Sequence, residues 1–174
     1  TLAIASGAGA ADATLAGTVT RAQTDGEVTF TGLVIRRAGD AYRLSASAPS
    51  LTGAESEPFD ITPANAAKLA VLTHPPATIQ AGAPLSPAPR FEIRDAFDNH
   101  VPTATHLVTV AIPSGAGPAA ADLAGTLARA AIAGVATFDD LFIARAGTGY
   151  ALAAAAPGLG VTPNGSVWWR VTGP

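Results

Sequence analysis

Three histidines in the middle of the chain supply the side chains best suited to acid–base chemistry. Together with Asp95 and Ser114 they provide the residue types of a hydrolase triad, in which a carboxylate orients the histidine that activates a serine. The histidines are His74, His100 and His106. The serine does not lie in a Gly-x-Ser-x-Gly elbow, and the histidines lack the spacing of a zinc site. We therefore expect these histidines on exposed loops and strand edges, and we expect no enzymatic activity.

A second polar group, formed by Asp95, Asp98 and Asn99, places two carboxylates and an amide within five residues. Calcium prefers such oxygen ligands, but it needs about six of them. No EF-hand spacing or second acidic cluster accompanies the group. Because Asp and Asn side chains also bond to the local backbone in tight turns, we expect a structural turn here, with no metal and no other cofactor.

The two tryptophans are adjacent at positions 168 and 169, and an arginine follows them. A strand alternates its side chains between two faces, so Val167, Trp169 and Val171 should share one face, with Trp168 and Arg170 on the other. An exposed tryptophan beside an arginine suits packing against a neighbouring domain or subunit, or stacking on a sugar or protein partner. We predict an interface or ligand contact at Trp168 and Arg170, and we favour packing between domains or subunits.

Composition excludes several functional classes. The chain has no cysteine, so disulfides, thiol catalysis and thiolate metal sites are all excluded. A net charge of −3 and a single lysine provide no basic stripe for a phosphate backbone, which argues against a nucleic-acid partner. No apolar run approaches the roughly 20 residues that span a bilayer, so we expect no membrane insertion.

The sequence repeats itself without a gap. Residues 1–51 align with residues 109–159 at a constant offset of 108, and 29 of the 51 positions are identical. Twenty of the 29 are not alanine, and the motif Leu15-Ala16-Gly17-Thr18 returns as Leu123-Ala124-Gly125-Thr126. Internal repeats are typical of arrays, which serve as scaffolds more often than as catalysts.

Tyr42 and Tyr150 occupy equivalent positions in the two copies. Each follows a glycine-containing turn and opens a predicted strand, where a tyrosine corner sends the hydroxyl back to a nearby backbone carbonyl. Since an active-site tyrosine would not need two copies, we predict that both residues have structural roles.

The strand signals predict an all-β fold. Short apolar runs recur with Gly, Pro, Asp and Asn between them, and the period of 108 fits one sandwich domain of about 100 residues. The predicted strands lie near residues 68–73, 90–94, 107–112, 127–132, 135–143, 150–156 and 166–172. This order suits tandem immunoglobulin-like antiparallel β-sandwiches.

Two units follow from the repeat. Residues 64–174 are long enough for a complete immunoglobulin-like unit, whereas residues 1–63 match only the C-terminal part of one. We expect that the first unit is either an excised or partly observed segment of a longer protein, or is completed by a strand from another molecule. The junction Thr62-Pro63-Ala64-Asn65 is short and contains a proline, which predicts restricted bending between the units.

Three further motifs carry a resemblance to a known family. They are the proline-rich loop with Ala81-Gly82, Leu85 and Pro87; the run Asp95-Ala96-Phe97-Asp98-Asn99 before Val101; and residues 123–150, with Gly134-Val135-Ala136-Thr137-Phe138 and Gly147-Thr148-Gly149-Tyr150. With these motifs the chain resembles the bacterial immunoglobulin-like repeats strung in tandem through very large secreted and surface proteins. The family pattern usually has glycine where Asp98 stands, and an aspartate tolerates a left-handed turn. The resemblance implies non-catalytic spacers and adhesive modules similar in architecture to the rods of invasin-type adhesins.

We therefore expect a rigid, non-catalytic spacer or stalk repeat of a large bacterial extracellular or cell-surface protein, with neighbouring immunoglobulin-like repeats as partners. Two alternatives stay open. One is an adhesin module that binds a surface glycan or receptor through Trp168 and Arg170. The other is a filament subunit in which identical chains complete one another by strand exchange.

Overall fold

The computed structural model describes residues 1–119, 122–161 and 167–173, without the side chains of residue 161 and residues 167–171. The regular structure of these residues consists of β-strands, which confirms the predicted all-β class; the tandem immunoglobulin-like arrangement stays a prediction. The chain divides into two compact units, Thr1–Pro63 (unit 1) and Ala64–Pro174 (unit 2). No helix in the described part of the chain is long and apolar enough to cross a membrane.

Unit 1 contains short antiparallel strands. A three-stranded sheet has the order β1-β5-β6, and two further pairs are β2 with β3 and β4 with β7. The strands are β1 (Leu2–Ile4), β2 (Leu15–Ala16), β3 (Val34–Ile35), β4 (Gly39–Tyr42), β5 (Leu44–Ala46), β6 (Ala54–Glu55) and β7 (Phe59–Ile61).

Unit 2 contains two larger sheets and one additional pair. The strands are β8 (Ala66–Thr73), β9 (Thr78–Gln80), β10 (Arg90–Asp95), β11 (Leu107–Ala111), β12 (Leu123–Ala124), β13 (Ala128–Ala130), β14 (Val135–Thr137), β15 (Phe142–Ile143), β16 (Gly147–Ala155), β17 (Gly160–Val161) and β18 (Val167–Thr172). One sheet has the order β14-β10-β8-β17, the other has the order β13-β11-β16-β18-β9, and β12 pairs with β15. The pairs β8–β17 and β9–β18 are parallel.

The core of unit 2 lies between its two main sheets. Phe91 and Ile93 of β10 are buried, as are Val108 and Val110 of β11, and each pair follows the two-residue period of a strand with one covered face. All four belong to one cluster of buried residues. The ring of Phe138 joins the same cluster, with its centroid 5.9 Å from that of Phe91 in an edge-to-face arrangement. Two sheets sharing one apolar layer are consistent with a β-sandwich.

The repeated sequence forms repeated strand pairs. Leu2 pairs with Ala46 in unit 1, and the residues 108 positions later, Val110 and Ala154, pair in unit 2. The pair β2–β3 likewise has the same register as β12–β15. The side chains that the sequence repeats therefore occupy equivalent backbone positions.

The last strand of each unit keeps this equivalence despite a change of offset. Tyr42 pairs with Phe59 in unit 1, and Tyr150 pairs with Trp169 in unit 2. The two tyrosines are 108 positions apart in the sequence, whereas Phe59 and Trp169 are 110 positions apart. The two additional residues of unit 2 lie between Leu159 and Trp169. The register of Tyr150 with Trp169 is therefore the same as that of Tyr42 with Phe59.

One predicted strand, residues 135–143, is wrong as a single element, because the chain leaves one sheet at Phe138 and forms two strands, β14 and β15. The Phe138 N–H donates to the Pro89 carbonyl oxygen at 3.0 Å, and the Leu85 N–H donates to the Leu141 carbonyl oxygen at 2.8 Å. These bonds to a distant loop separate the strand beside β10 from the strand beside β12.

Candidate functional site

The turn at residues 95–99 is built at the end of β10. Asp98 adopts a left-handed backbone with φ of 67°, the position at which the resemblance placed a glycine. The Asp95 N–H donates to the Asn99 carbonyl oxygen at 2.9 Å, and the Asp98 N–H donates to the Asp95 carbonyl oxygen at 3.3 Å. Asp95 is fully buried and Asn99 is nearly so. This geometry holds a charged side chain inside unit 2.

Four N–H groups satisfy the buried Asp95 carboxylate. Oδ1 accepts from the backbone N–H groups of Phe97 at 2.8 Å and Asn99 at 2.9 Å. Oδ2 accepts from the backbone N–H of Ala64 and from the side-chain amide of Asn99, both at 2.9 Å. Burial is the largest single effect and raises the pKa of this carboxyl. The four hydrogen bonds together lower the pKa by more than burial raises it, so the pKa lies below the ordinary value of 3.8. The carboxylate ties the turn to the start of unit 2.

The exposed side of this turn carries charged side chains. Lys68 Nζ lies 2.8 Å from Asp98 Oδ1, and Arg94 Nε lies 2.7 Å from Glu92 Oε2. The Arg94–Glu92 pair is partly buried, whereas Asp98 is exposed. An exposed ion pair such as Lys68–Asp98 contributes little stability, typically below about 1 kcal/mol. Among the residues that the structure describes, no group of three or more His, Asp or Glu side chains is arranged to hold a metal ion.

The residues of the hypothetical triad serve other contacts. The donors to Asp95 come from Ala64, Phe97 and Asn99, so its carboxylate is not oriented toward a histidine. His100 Nε2 lies 2.9 Å from the Ala133 carbonyl oxygen, and its Nδ1 lies 3.9 Å from a carboxylate oxygen of Glu92. His74 and Ser114 are exposed, whereas His106 is half-buried. This arrangement does not assemble a nucleophile, a base and an orienting carboxylate.

The two tyrosines form equivalent buried corners. The Tyr42 hydroxyl donates to the Arg37 carbonyl oxygen at 2.8 Å, and the Tyr150 hydroxyl donates to the Arg145 carbonyl oxygen at 2.7 Å. Both side chains are fully buried. Burial raises the pKa of Tyr150, with a smaller opposing effect from the Arg145 charge. The hydroxyls fix the chain between the preceding arginine and the tyrosine strand.

A glycine makes room for each tyrosine ring. A Cβ atom at Gly9 would lie 2.2 Å from the ring of Tyr42, and one at Gly117 would lie 2.7 Å from the ring of Tyr150. Both glycines also have a positive φ, of 70° and 73° respectively. The repeated glycine therefore permits both the backbone conformation and the close ring contact.

Sequence reasoning missed a polar cluster at the end of β12. Asp140 Oδ2 accepts from the Thr126 hydroxyl at 2.5 Å and from the Thr126 N–H at 3.1 Å. Arg129 Nη2 lies 3.1 Å from Asp140 Oδ1. The Thr126 hydroxyl bond is the main cause that lowers the pKa of Asp140 to about 2. The repeat gave no signal for this cluster, because Gly32 stands at the equivalent position in unit 1.

The predicted contact residues Trp168 and Arg170 lie on β18. Their backbones pair with Ala151 and Thr78, respectively. Their side chains lie outside the described part of the structure, so the contact stays a prediction.

Unit 1 has a groove of about 460 Å³, and we call the surface formed by its lining residues the open face. Its apolar lining includes Val28, Phe30, Ala46, Ala48 and Leu51. Val28 is 38% exposed and Leu51 is 73% exposed. Contiguous exposed apolar surface of this kind marks interaction sites. The open face is therefore the strongest candidate contact surface in the described residues.

Comparisons with known proteins do not identify a family. No family model matches the chain, and no curated protein matches it. One similar solved structure is the apo structure of Bacteroides uniformis beta-glucuronidase 3, with a TM-score of 0.41 and 11% identity. The match covers 78% of this chain and 16% of that chain. A likeness at this level does not assign an activity.

Proposed function

We propose that the chain is a non-catalytic structural repeat, a rigid spacer or stalk segment of a large bacterial extracellular or surface protein. The observation that carries the proposal is the equal strand register of the two units. Tyr42 pairs with Phe59 as Tyr150 pairs with Trp169, and Leu2 pairs with Ala46 as Val110 pairs with Ala154. Repetition of one supersecondary arrangement is the hallmark of arrays, in which neighbouring repeats are the partners.

The chemistry of the buried polar residues supports a structural role. The repeated tyrosines use their hydroxyls on backbone carbonyl oxygens within their own units. The buried carboxylate of Asp95 is likewise satisfied by N–H groups of its own unit. These polar groups are thus committed to holding the chain in place.

The parallel pairing of β9 and β18 in unit 2 should make this unit resist a stretching force. β9 lies early in the unit and β18 lies at its end, and the two pair in parallel, with Thr78 beside Arg170 and Gln80 beside Thr172. When the two chain ends are pulled apart, a parallel pair of this kind is sheared, so its hydrogen bonds must break together.

Single-molecule force spectroscopy of the full chain tests the proposal. We expect unit 2 to unfold in one rupture event that releases roughly 390 Å of chain, less the distance between the ends of the folded unit, given about 3.5 Å per extended residue. Because the chain has no cysteine, handles can be attached through introduced ones. The matched control pulls between Gln80→Cys and Gly173→Cys, near one end of the β9–β18 pair, and should need a lower force. Gradual extension without a rupture, or an equal force in both geometries, would overturn the spacer proposal.

A further inference from the structure

The first residues of unit 2 bury little side-chain surface. Ala64 and Asn65 are exposed, and the strand β8 begins only at Ala66. Pro63 has no N–H group, so Ala64 carries the first backbone donor of this unit. Such a segment has few apolar contacts to oppose its conformational entropy, so a fixed conformation depends on specific hydrogen bonds.

The pairing of β8 with β10 ends before it reaches Ala64. The last pair of the ladder joins Ala66 to Asp95. After Asp95 the chain reverses into a turn, in which the Asp95 N–H donates to the Asn99 carbonyl oxygen at 2.9 Å. Within the described residues 64–99, β10 therefore offers no further backbone partner to Ala64.

The side chain of Asp95 reaches the residue that the strand pairing does not. Its Oδ2 accepts from the Ala64 N–H at 2.9 Å, two residues before the last pair. The carboxylate is fully buried, and its other three donors belong to Phe97 and Asn99 of the turn. Hydrogen bonds to a charged acceptor are among the strong ones in proteins. Ala64 is thus bonded to a fixed, buried group of unit 2.

A second side chain of the turn contacts β8 further along the strand. Lys68 Nζ lies 2.8 Å from Asp98 Oδ1, so the turn holds the alternate residues 64, 66 and 68. Asp98 is exposed, and an exposed ion pair contributes little. The buried bond from Asp95 is therefore the contact that determines the order of the first two residues.

We infer that Asp95 anchors the junction between the two units, because its side chain fixes the backbone of unit 2 from Ala64 onward. The flexible part of the connection is then confined to Thr62 and Pro63. This role concerns the motion of residues 64 and 65 in the folded protein, and so it differs from the contribution of Asp95 to stability. The inference does not rest on the spacer proposal, since the same bond would order this segment in a protein of any function.

Backbone nitrogen-15 relaxation of the full chain tests the anchor. We expect order parameters of about 0.85 at Ala64 and Asn65, as in rigid backbone, and a decrease below about 0.6 in Asp95→Asn. Val108→Ala is the control for lost stability, because it truncates a buried core residue of β11 and should leave both values unchanged. Values below about 0.6 in the unsubstituted chain, or an equal decrease in both variants, would overturn the inference.

A second variant removes only the donor. Ala64→Pro lacks the N–H group but keeps the Asp95 carboxylate and its bonds to Phe97 and Asn99. We expect the order parameter of Asn65 to fall below about 0.6, with the amide shifts of Phe97 and Asn99 unchanged. An Asn65 value that stays at about 0.85 would show that other contacts hold this segment, and would overturn the inference even if Asp95→Asn failed to fold.

Discussion

The hydroxyl of Tyr150 donates a hydrogen bond of 2.7 Å to the carbonyl oxygen of Arg145, five residues earlier in the chain. The equivalent bond in unit 1 joins Tyr42 to Arg37. Each bond fixes the short segment through which the chain enters the tyrosine strand. The repeat thus preserves a specific backbone constraint as well as an apolar pattern.

Replacing the corner tyrosine tests this constraint. Tyr150→Phe keeps the buried ring but leaves the Arg145 carbonyl oxygen without its hydroxyl donor, so the free energy of unfolding of unit 2 should fall by about 1 kcal/mol. Urea unfolding followed by tryptophan fluorescence reports on unit 2, because both tryptophans lie in it. Tyr42→Phe is the matched control and should leave this transition unchanged. A loss below about 0.3 kcal/mol for Tyr150→Phe would contradict the role of the hydroxyl.

The buried carboxylate of Asp95 should make unit 2 sensitive to acid. Its folded pKa lies below the unfolded value of 3.8, so its contribution to stability is complete above about pH 4 and is lost as the pH falls through the folded pKa. Asp95→Asn should reduce the free energy of unfolding by roughly 3 kcal/mol at pH 7, because an amide NH₂ would then face N–H donors. Urea midpoints of the variant and the unsubstituted protein, measured at pH 7 and pH 3, should show that the stability difference between the two proteins is smaller at pH 3.

Asp98→Asn provides the control for this carboxylate. Asp98 is exposed and lies in the same turn, and asparagine also tolerates its left-handed backbone. This change should cost less than about 1 kcal/mol at pH 7. If both variants lost the same stability, the buried hydrogen bonds of Asp95 would not be the cause.

The Asp140 carboxyl should titrate near pH 2 in the folded protein, because the Thr126 hydroxyl donates to it. Its folded pKa is depressed, so its contribution to stability is present above about pH 4 and is lost as the pH falls toward 2. Thr126→Val should raise the pKa of Asp140 toward 3.8, as measured by carbon-13 NMR of the carboxyl group. Thr18→Val, at the equivalent position beside Gly32, should not move it. An unchanged titration in Thr126→Val would assign the low pKa to another donor.

The equivalent glycines Gly134 and Gly26 should differ in their tolerance of alanine. Both have a positive φ, which costs an alanine about 1 kcal/mol in either unit. At Gly134 the new methyl would also lie 2.4 Å from the Val101 carbonyl oxygen, so Gly134→Ala should cost roughly 3 kcal/mol or more. Urea unfolding followed by the NMR signals of Tyr42 and Tyr150 measures each unit separately. Equal losses would show that the space beside Gly26 is filled.

Sequence periodicity predicted β10 and β11, because the buried side chains of each alternate along the strand. β8 buries the adjacent residues Leu69 and Ala70, so its apolar run and not a period made it predictable. The pairs β12–β15 and β8–β17 include strands of two residues, too short to establish a period. The division of residues 135–143 was equally hidden, because it depends on hydrogen bonds to Leu85 and Pro89, about 50 residues away.

Among the polar sites, too, only those with a local or repeated sequence pattern could be predicted. The tyrosine corners were predictable because the repeat presents them twice, and the turn at residues 95–99 was predictable from its local Asp and Asn pattern. The bond from the Ala64 N–H to Asp95 joins residues 31 positions apart, so no local pattern announces it. The cluster at Asp140 depends on Thr126 and Arg129, which approach it only through strand pairing.

The two units share equivalent strand pairs, and only in unit 2 does a further strand, β10, pair with the residues equivalent to residues 27–29. Residue-resolved amide hydrogen exchange on the full chain tests both parts most directly. We predict slow exchange at the equivalent residues Leu44, whose N–H donates to the Ser56 hydroxyl oxygen, and Leu152, which pairs with Val167. We also predict slow exchange at Phe138, whose N–H donates to the Pro89 carbonyl oxygen, and fast exchange at Phe30. Equal protection of Phe30 and Phe138, or fast exchange at Leu44 beside slow exchange at Leu152, would contradict the account.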